Sequence, residues 1–161
     1  MCRCKQGKFH VRALTEEIYK KILLTKQNIV LIGMPSSGKT TVGELLSEKL
    51  GRKLVDLDDE IEARLGCTIA EYFKTHSEKD FRDIETEITK EISKKNGIVI
   101  ATGGGVVLRE ENVEALSANG KIFFIDKDVD SLTPTESRPL ASRVADIENL
   151  YKARYPIYKR V

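Results

Sequence analysis

Short runs of consecutive apolar residues, rich in β-branched types, recur along the chain and end abruptly at glycine or aspartate. They are Ile29-Val30-Leu31-Ile32, Leu54-Val55 within residues 53–58, Ile98-Val99-Ile100-Ala101, and Ile122-Phe123-Phe124-Ile125 within residues 121–126. Runs this short, without polar alternation, indicate strands buried on both faces. Between them apolar positions recur at spacings of three and four, which is the period of a helix with one buried face. Val42, Leu45, Leu46 and Leu50 mark a helix from about residue 40, stopped by Gly51. A second spans 59–65 and ends at Gly66, and a third starts at 68, where Thr68 and Glu71 have capping-box spacing. Others are expected over 81–95, over 110–119 with Gly120 as cap, and over 142–155 with Pro156 as the stop. Strand–helix alternation of this kind predicts an α/β fold, a parallel, doubly wound sheet with helices on both faces. Ahead of the first strand, Leu14, Ile18 and Ile22, with Tyr19 and Leu23, mark a further helix over 11–26 with a cap signal at Thr15. It is expected to pack on the edge of the domain, after a poorly ordered tail at 1–10.

Bulk properties narrow the picture without changing it. A chain of 161 residues, 40% hydrophobic and 32% charged, is one ordinary domain with enough material for a core. A net charge of +2 is too near neutral to imply nucleic acid or an anionic membrane surface as partner. No apolar run reaches the length of a membrane span, and the start lacks the apolar centre of a signal peptide, so a cytoplasmic location is expected. Cys2, Cys4 and Cys67 are odd in number and have no second Cys/His pair at zinc-site spacing, so they read as free thiols. His76, alone in a polar break, reads as a solvated side chain.

Candidate chemistry gathers where strands end. Gly33-Met34-Pro35-Ser36-Ser37-Gly38-Lys39-Thr40-Thr41 joins the first strand to its helix with the phosphate-loop spacing. Gly33 and Gly38 let the backbone fold closely around an anion, the following helix adds the positive end of its dipole, Lys39 reaches phosphate oxygens and the Thr40 hydroxyl can hold Mg²⁺. Binding of a nucleoside triphosphate is expected. Asp56 and Asp58 close the second strand, and strand alternation would point both the same way, although Asp58 or Asp59 can equally cap the next helix. Arg82 and Glu85, three apart on a helix, form either a surface ion pair or part of a site. Gly103, Gly104 and Gly105, placed sharply between apolar runs, suit close backbone approach to a ligand. Arg138, extended by Pro139 after the polar loop 128–137, can reach a transferring phosphoryl group or simply be solvated. Arg154, just before Pro156, has a sufficient structural reason in the helix C-terminus.

Taken in order, residues 33–40, Asp56-x-Asp58, Phe81-Arg82 with Glu85, Gly103-Gly104-Gly105, Arg138-Pro139-Leu140 and Arg154-x-Pro156-x-Tyr158 resemble the shikimate kinases, P-loop small-molecule kinases of the nucleoside monophosphate kinase-like group. The resemblance covers 28–161 as one domain and leaves 1–27 as a tail and an additional helix. It implies a three-layer P-loop kinase fold whose parallel sheet has four strands in this chain, where the family continues into a fifth. It implies ATP and Mg²⁺ as cofactors and shikimate as a small-molecule partner, phosphorylated at its 3-hydroxyl for aromatic amino acid biosynthesis by a monomer that binds neither nucleic acid nor membrane. By the same resemblance Gly33, Met34, Pro35, Ser36, Ser37, Gly38, Lys39, Thr40, Thr41 and Arg138 would hold ATP. Thr40 would ligate the metal directly and Asp56 through water. Asp58, Lys39 and Arg138 would be catalytic. Asp58, Arg82, Glu85, Gly103, Gly104, Gly105, Arg154, Phe73 and Phe81 would hold the substrate. Residues 132–135 carry no arginine where the family stacks one on adenine, which implies an adenine clamp made differently. The alternatives are another small-molecule kinase, of gluconate type, or a nucleotide-binding module with little turnover.

Overall fold

The computed structural model describes residues 7–22, 27–132 and 144–161. Within them β1 (Asn28–Ile32), β2 (Leu54–Asp56), β3 (Val99–Ala101) and β4 (Gly120–Phe124) form one four-stranded sheet in the order β2-β3-β1-β4. All its pairings are parallel, with Ile29 opposite Val99 and Lys121, and Val55 opposite Ile100. The helices are α1 (Gly7–Ile22), α2 (Lys39–Leu50), α3 (Leu57–Leu65), α4 (Ile69–Tyr72), α5 (Glu78–Ser93), α6 (Glu110–Ala118) and α7 (Val144–Arg160). Among the described residues no helix is long and apolar enough to cross a membrane.

The unbroken apolar strands have the burial that their pattern requires. Ile29 and Leu31 face one side, with Val99 and Ile125, and pack against Val42 and Leu46 of α2 and Leu14 and Ile18 of α1. Val30 and Ile32 face the other, with Val55 and Ile100, and pack against α3, α5, α6 and α7 through Ile61, Phe81, Ile88, Ile92, Leu116 and Ile147. The result is the three-layer arrangement expected of the P-loop kinases, and α1 completes one of its outer layers. Asn28, fully buried, ties the sheet's amino end: its amide donates to Lys95 O at 2.5 Å and Ser93 O at 3.3 Å and accepts from Ile98 N at 3.1 Å.

Several boundaries differ from the sequence reading. α1 starts at Gly7, inside the expected tail, and 23–26 lie outside the described residues. β2 stops at Asp56, whose carboxylate accepts from Asp58 N and caps a helix that begins at Leu57. The expected strand alternation of Asp56 and Asp58 is therefore corrected: one is the cap and the other lies in the first helical turn. The apolar run Val106-Val107-Leu108 is a 3-10 turn. Asn119, not Gly120, ends α6, and Gly120 already belongs to β4. Pro156 does not stop α7, which continues to Arg160. A proline inside a helix costs about 3 kcal/mol. Here Pro156 faces solvent while Tyr158, 2% exposed and stacked on Phe124 at 5.1 Å, draws the next turn into the core. Arg154 therefore lies a turn and a half before the helix end, and the helix-terminus explanation for it fails. The capping boxes at Thr68/Glu71 and the glycine stops at Gly51 and Gly66 are as expected, and a further box joins Ser77 to Asp80.

Candidate active site

The carboxyl ends of β1, β2 and β3 converge, which is where parallel sheets of this kind leave a crevice. After β1 the chain turns through Gly33, at φ 150°, where a Cβ would stand 2.7 Å from Ile125 O. Ser36 (φ 61°) and Gly38 (φ 95°) take left-handed conformations, so the loop curls with its amides inward. Lys127 Nζ donates to Ser36 O at 3.2 Å and holds the strained residue. Lys39, buried, folds its ammonium onto the carbonyls of Gly33 (3.0 Å) and Met34 (2.8 Å). α2 begins without a side-chain cap, and Ser37 Oγ is buried without a partner among the described residues. Uncapped N–H groups beside a buried lysine and an orphaned hydroxyl fit a polyphosphate. The Thr40 hydroxyl donates to Asp56 Oδ2 at 2.9 Å, a pair of hard oxygen donors that fits Mg²⁺.

Thr40 and Asp56 mark one end of a cavity of about 370 Å³, and Arg82 and Arg154 line it further in, with Asp58, Glu85, Phe73, Phe81 and the three glycines. Each of these glycines permits one close approach. A Cβ on Gly103 would lie 2.7 Å from Asp58 Oδ1 and 3.2 Å from Glu85 Oε1, one on Gly104 would lie 2.8 Å from Pro35 Cδ, and one on Gly105 would fall on the Arg82 guanidinium. The glycine run is thus a plate against which the phosphate loop, the carboxylates and the arginine all close. Gly105 has φ −96°, a conformation open to alanine. Gly105→Ala is therefore expected to keep the fold while displacing Arg82. A ligand held by Arg82 should bind about tenfold or more weakly, with binding at the phosphate loop unchanged, as when one charged hydrogen bond is lost. Steady-state kinetics with each substrate varied checks this.

Arg82 and Glu85 are not a surface pair. They meet at 2.7 Å with Glu85 2% exposed, and Arg82 also reaches Glu78 at 3.0 Å and lies over the Phe81 ring. Burial pushes the Glu85 carboxyl above its usual range, and Arg82 offsets only part of that. Arg154 is 5% exposed, yet no carboxylate among the described residues lies within ion-pairing distance of it. Burial lowers its pKa and the Arg82 charge adds to the lowering, while the Tyr158 hydroxyl and the charges of Glu78 and Glu85 counter only part of it. Two guanidinium groups therefore face one cavity, one ion-paired and one that has, among the described residues, the Tyr158 hydroxyl but no carboxylate at ion-pairing distance. Phe73 and Phe81, with ring centroids 5.0 Å apart, form an apolar wall.

The structure thus brings Asp56, Asp58, Arg82, Glu85, Gly103, Gly104, Gly105, Arg154, Phe73 and Phe81 around one space, beside the loop of residues 33–41. Arg138 lies outside the described residues. Sequence reading missed Glu78, Ile69 and Leu150, which pair with Arg82 or line the cavity, and Lys127, which braces the loop. Glu78 had a usable signal, since it sits four residues before Arg82 on the same helix. Lys127 had none, because its contact spans 91 positions.

A phosphate loop on the central strand of a parallel sheet, beside a cavity lined by two buried guanidinium groups, defines a P-loop kinase for a small anionic acceptor. A family model described as "Shikimate kinase" matches residues 35–161. The shikimate kinase of Caldicellulosiruptor bescii is 43% identical over 140 residues, covering 83% of this chain and 81% of the relative. That of Clostridium botulinum (strain Eklund 17B / Type B) is 45% identical over 139 residues, covering 84% of each. The solved shikimate kinase from Acinetobacter baumannii, in complex with shikimate, superposes with a TM-score of 0.81 at 35% identity, covering 87% of this chain and 82% of that one. The chain belongs to the shikimate kinase family and is accordingly a phosphotransferase.

Proposed function

We propose that the protein transfers the γ-phosphoryl group of ATP to the 3-hydroxyl of shikimate, giving shikimate 3-phosphate and ADP on the route to aromatic amino acids. The observation that carries this reading is Arg154, a buried guanidinium with no carboxylate at ion-pairing distance among the described residues, which opens onto the acceptor cavity beside Arg82. Leaving a cation so placed is costly unless an anion arrives, and the planar fork suits a carboxylate. The carboxylate of shikimate supplies that anion.

The remaining roles follow from position. Glu85 and Glu78 hold Arg82 at its angle. Phe73 and Phe81 cover the apolar face of the ring, and the backbone at Gly103, Gly104 and Gly105 approaches its edge. Asp58, in the first turn of α3 and against Gly103, accepts from the ring hydroxyls and takes the proton of the attacking one as its oxygen bonds to the γ-phosphorus. The bond to the β-phosphate oxygen breaks and ADP leaves. Lys39, Ser37 and the N–H groups of residues 33–41 hold the phosphates, and Arg138 joins Lys39 in meeting the charge that spreads over the moving group. Thr40 would hold Mg²⁺ directly and Asp56 through water, and the ion when bound neutralises charge on the phosphates.

The test is ADP release from ATP and Mg²⁺ with shikimate, with gluconate, and with neither. Release that depends on shikimate alone is expected. Release with gluconate in its place would assign a different acceptor, and binding of ATP without release in either case would leave a nucleotide-binding module.

A further inference from the structure

Tyr158 is a large, nearly fully buried side chain that the transfer chemistry described above does not use. Its ring is stacked on Phe124 with 17° between the planes, which accounts for its packing. Its hydroxyl does something separate: it donates to the carbonyl of Gly104. Gly104 is the middle residue of the glycine plate, and it rests on Pro35 of the phosphate loop, its place for a Cβ filled by Pro35 Cδ at 2.8 Å. One turn back along α7, on the same face, stands Arg154, whose guanidinium lies beside the Tyr158 hydroxyl. This hydroxyl therefore joins the helix that carries Arg154 to the glycine loop that rests on Pro35 of the phosphate loop.

We infer that Tyr158 is a positioning residue for the acceptor, fixing the distance between the Arg154 clamp and the phosphate loop through the carbonyl of Gly104. The inference rests on shikimate as the acceptor. Without the hydroxyl, the hydrogen bond that ties α7 to the carbonyl of Gly104 is lost while the stack of the ring on Phe124 remains. Packing does not define a separation as narrowly as a hydrogen bond, and an acceptor gripped at its carboxylate would present its hydroxyl less accurately. Burial moves the Tyr158 phenol up to about 12, with Arg154 countering part of the rise, so it stays a donor throughout the neutral range.

Tyr158→Phe separates the two jobs, because the ring and its stack on Phe124 remain while the hydroxyl is lost. Three quantities are measured on wild type and variant: shikimate KM and kcat at saturating ATP, the Kd for ATP without shikimate, and the melting temperature. Expected is a fall of about five- to tenfold in kcat/KM for shikimate, the size of one hydrogen bond. The ATP Kd should stay within about twofold and the melting temperature within a few degrees. Kinetics within about twofold of wild type would overturn the inference, and so would an ATP Kd that weakens in step with shikimate use, which would mean a general loosening of the fold. A wild-type protein without shikimate-dependent turnover would overturn the acceptor assignment and this inference with it. Normal wild-type turnover with an unaltered variant would overturn the inference alone.

Discussion

Arg154→Met is expected to make the empty protein more stable while nearly abolishing its use of shikimate. The two effects have one cause. In the absence of a bound anion the Arg154 guanidinium is buried with no carboxylate at ion-pairing distance among the described residues, and burial holds its pKa down. A charge whose folded-state pKa is lowered in this way opposes folding at any pH where it is protonated, which for arginine is the whole working range. Replacing it by an apolar side chain of similar length removes that penalty. Exchanges of whole buried ion pairs for packed apolar groups have ranged from neutral to about 1–4 kcal/mol stabilising, and a buried charge without a carboxylate partner has less attraction to lose. In a urea titration without ligand the midpoint should therefore rise. With shikimate present the order reverses: the wild type gains the ion pair and the variant cannot. Truncating one partner of a buried charged pair costs about 2–5 kcal/mol, or roughly 30- to 4,000-fold in kcat/KM. ATP affinity, set at residues 33–41, should hardly move. A variant less stable than wild type without ligand would mean that Arg154 already has an anionic partner in the free protein, and the argument for an anionic acceptor would lose its main support.

That reasoning also shows where the sequence was readable and where it was not. Features set by neighbours in the chain were plain: the apolar strands, the capping box at Thr68 and Glu71, the glycine stops at Gly51 and Gly66, and the phosphate-loop spacing. Asp56 and Asp58 do reach one cavity, but through a cap and a first turn, because the apolar Leu57 between them begins a helix equally well. Pro156 was read as a stop because a proline's local cost is known in advance, whereas the burial of Tyr158 that outweighs it depends on Phe124 in β4. The character of the Arg82–Glu85 pair was invisible for the same reason. Spacing says that two side chains can meet, while the surrounding fold decides whether they meet in water or, as here, under Gly105 and Phe81. Arg154 looked ordinary only while the helix was taken to end beside it.

Asp58→Asn tests the chemistry where Arg154→Met tests recognition, and the placement of Asp58 makes it a clean test. The helix cap belongs to Asp56, whose carboxylate accepts from Asp58 N, so changing the Asp58 side chain leaves that bond in place. The amide has the shape of the carboxylate and fits the same gap against Gly103, where the side chain's Oδ1 would touch any added Cβ at 2.7 Å. It can still accept one hydrogen bond from a ring hydroxyl, but it cannot take a proton. Loss of a positioned base lowers rates by about 10²- to 10⁴-fold. The expected result is a fall of that size in kcat, with the Kd for ATP within about twofold and that for shikimate within about tenfold. Asp56→Asn should behave differently, since Asp56 touches Thr40 at the nucleotide end and also caps α3. Its loss should weaken the dependence of rate on Mg²⁺ and lower stability together. If Asp58→Asn kept kcat within about threefold of wild type, proton removal by Asp58 would contribute less than 1 kcal/mol to the barrier. The attacking hydroxyl would then lose its proton after the phosphorus–oxygen bond has formed, with Asp58 reduced to holding the ring.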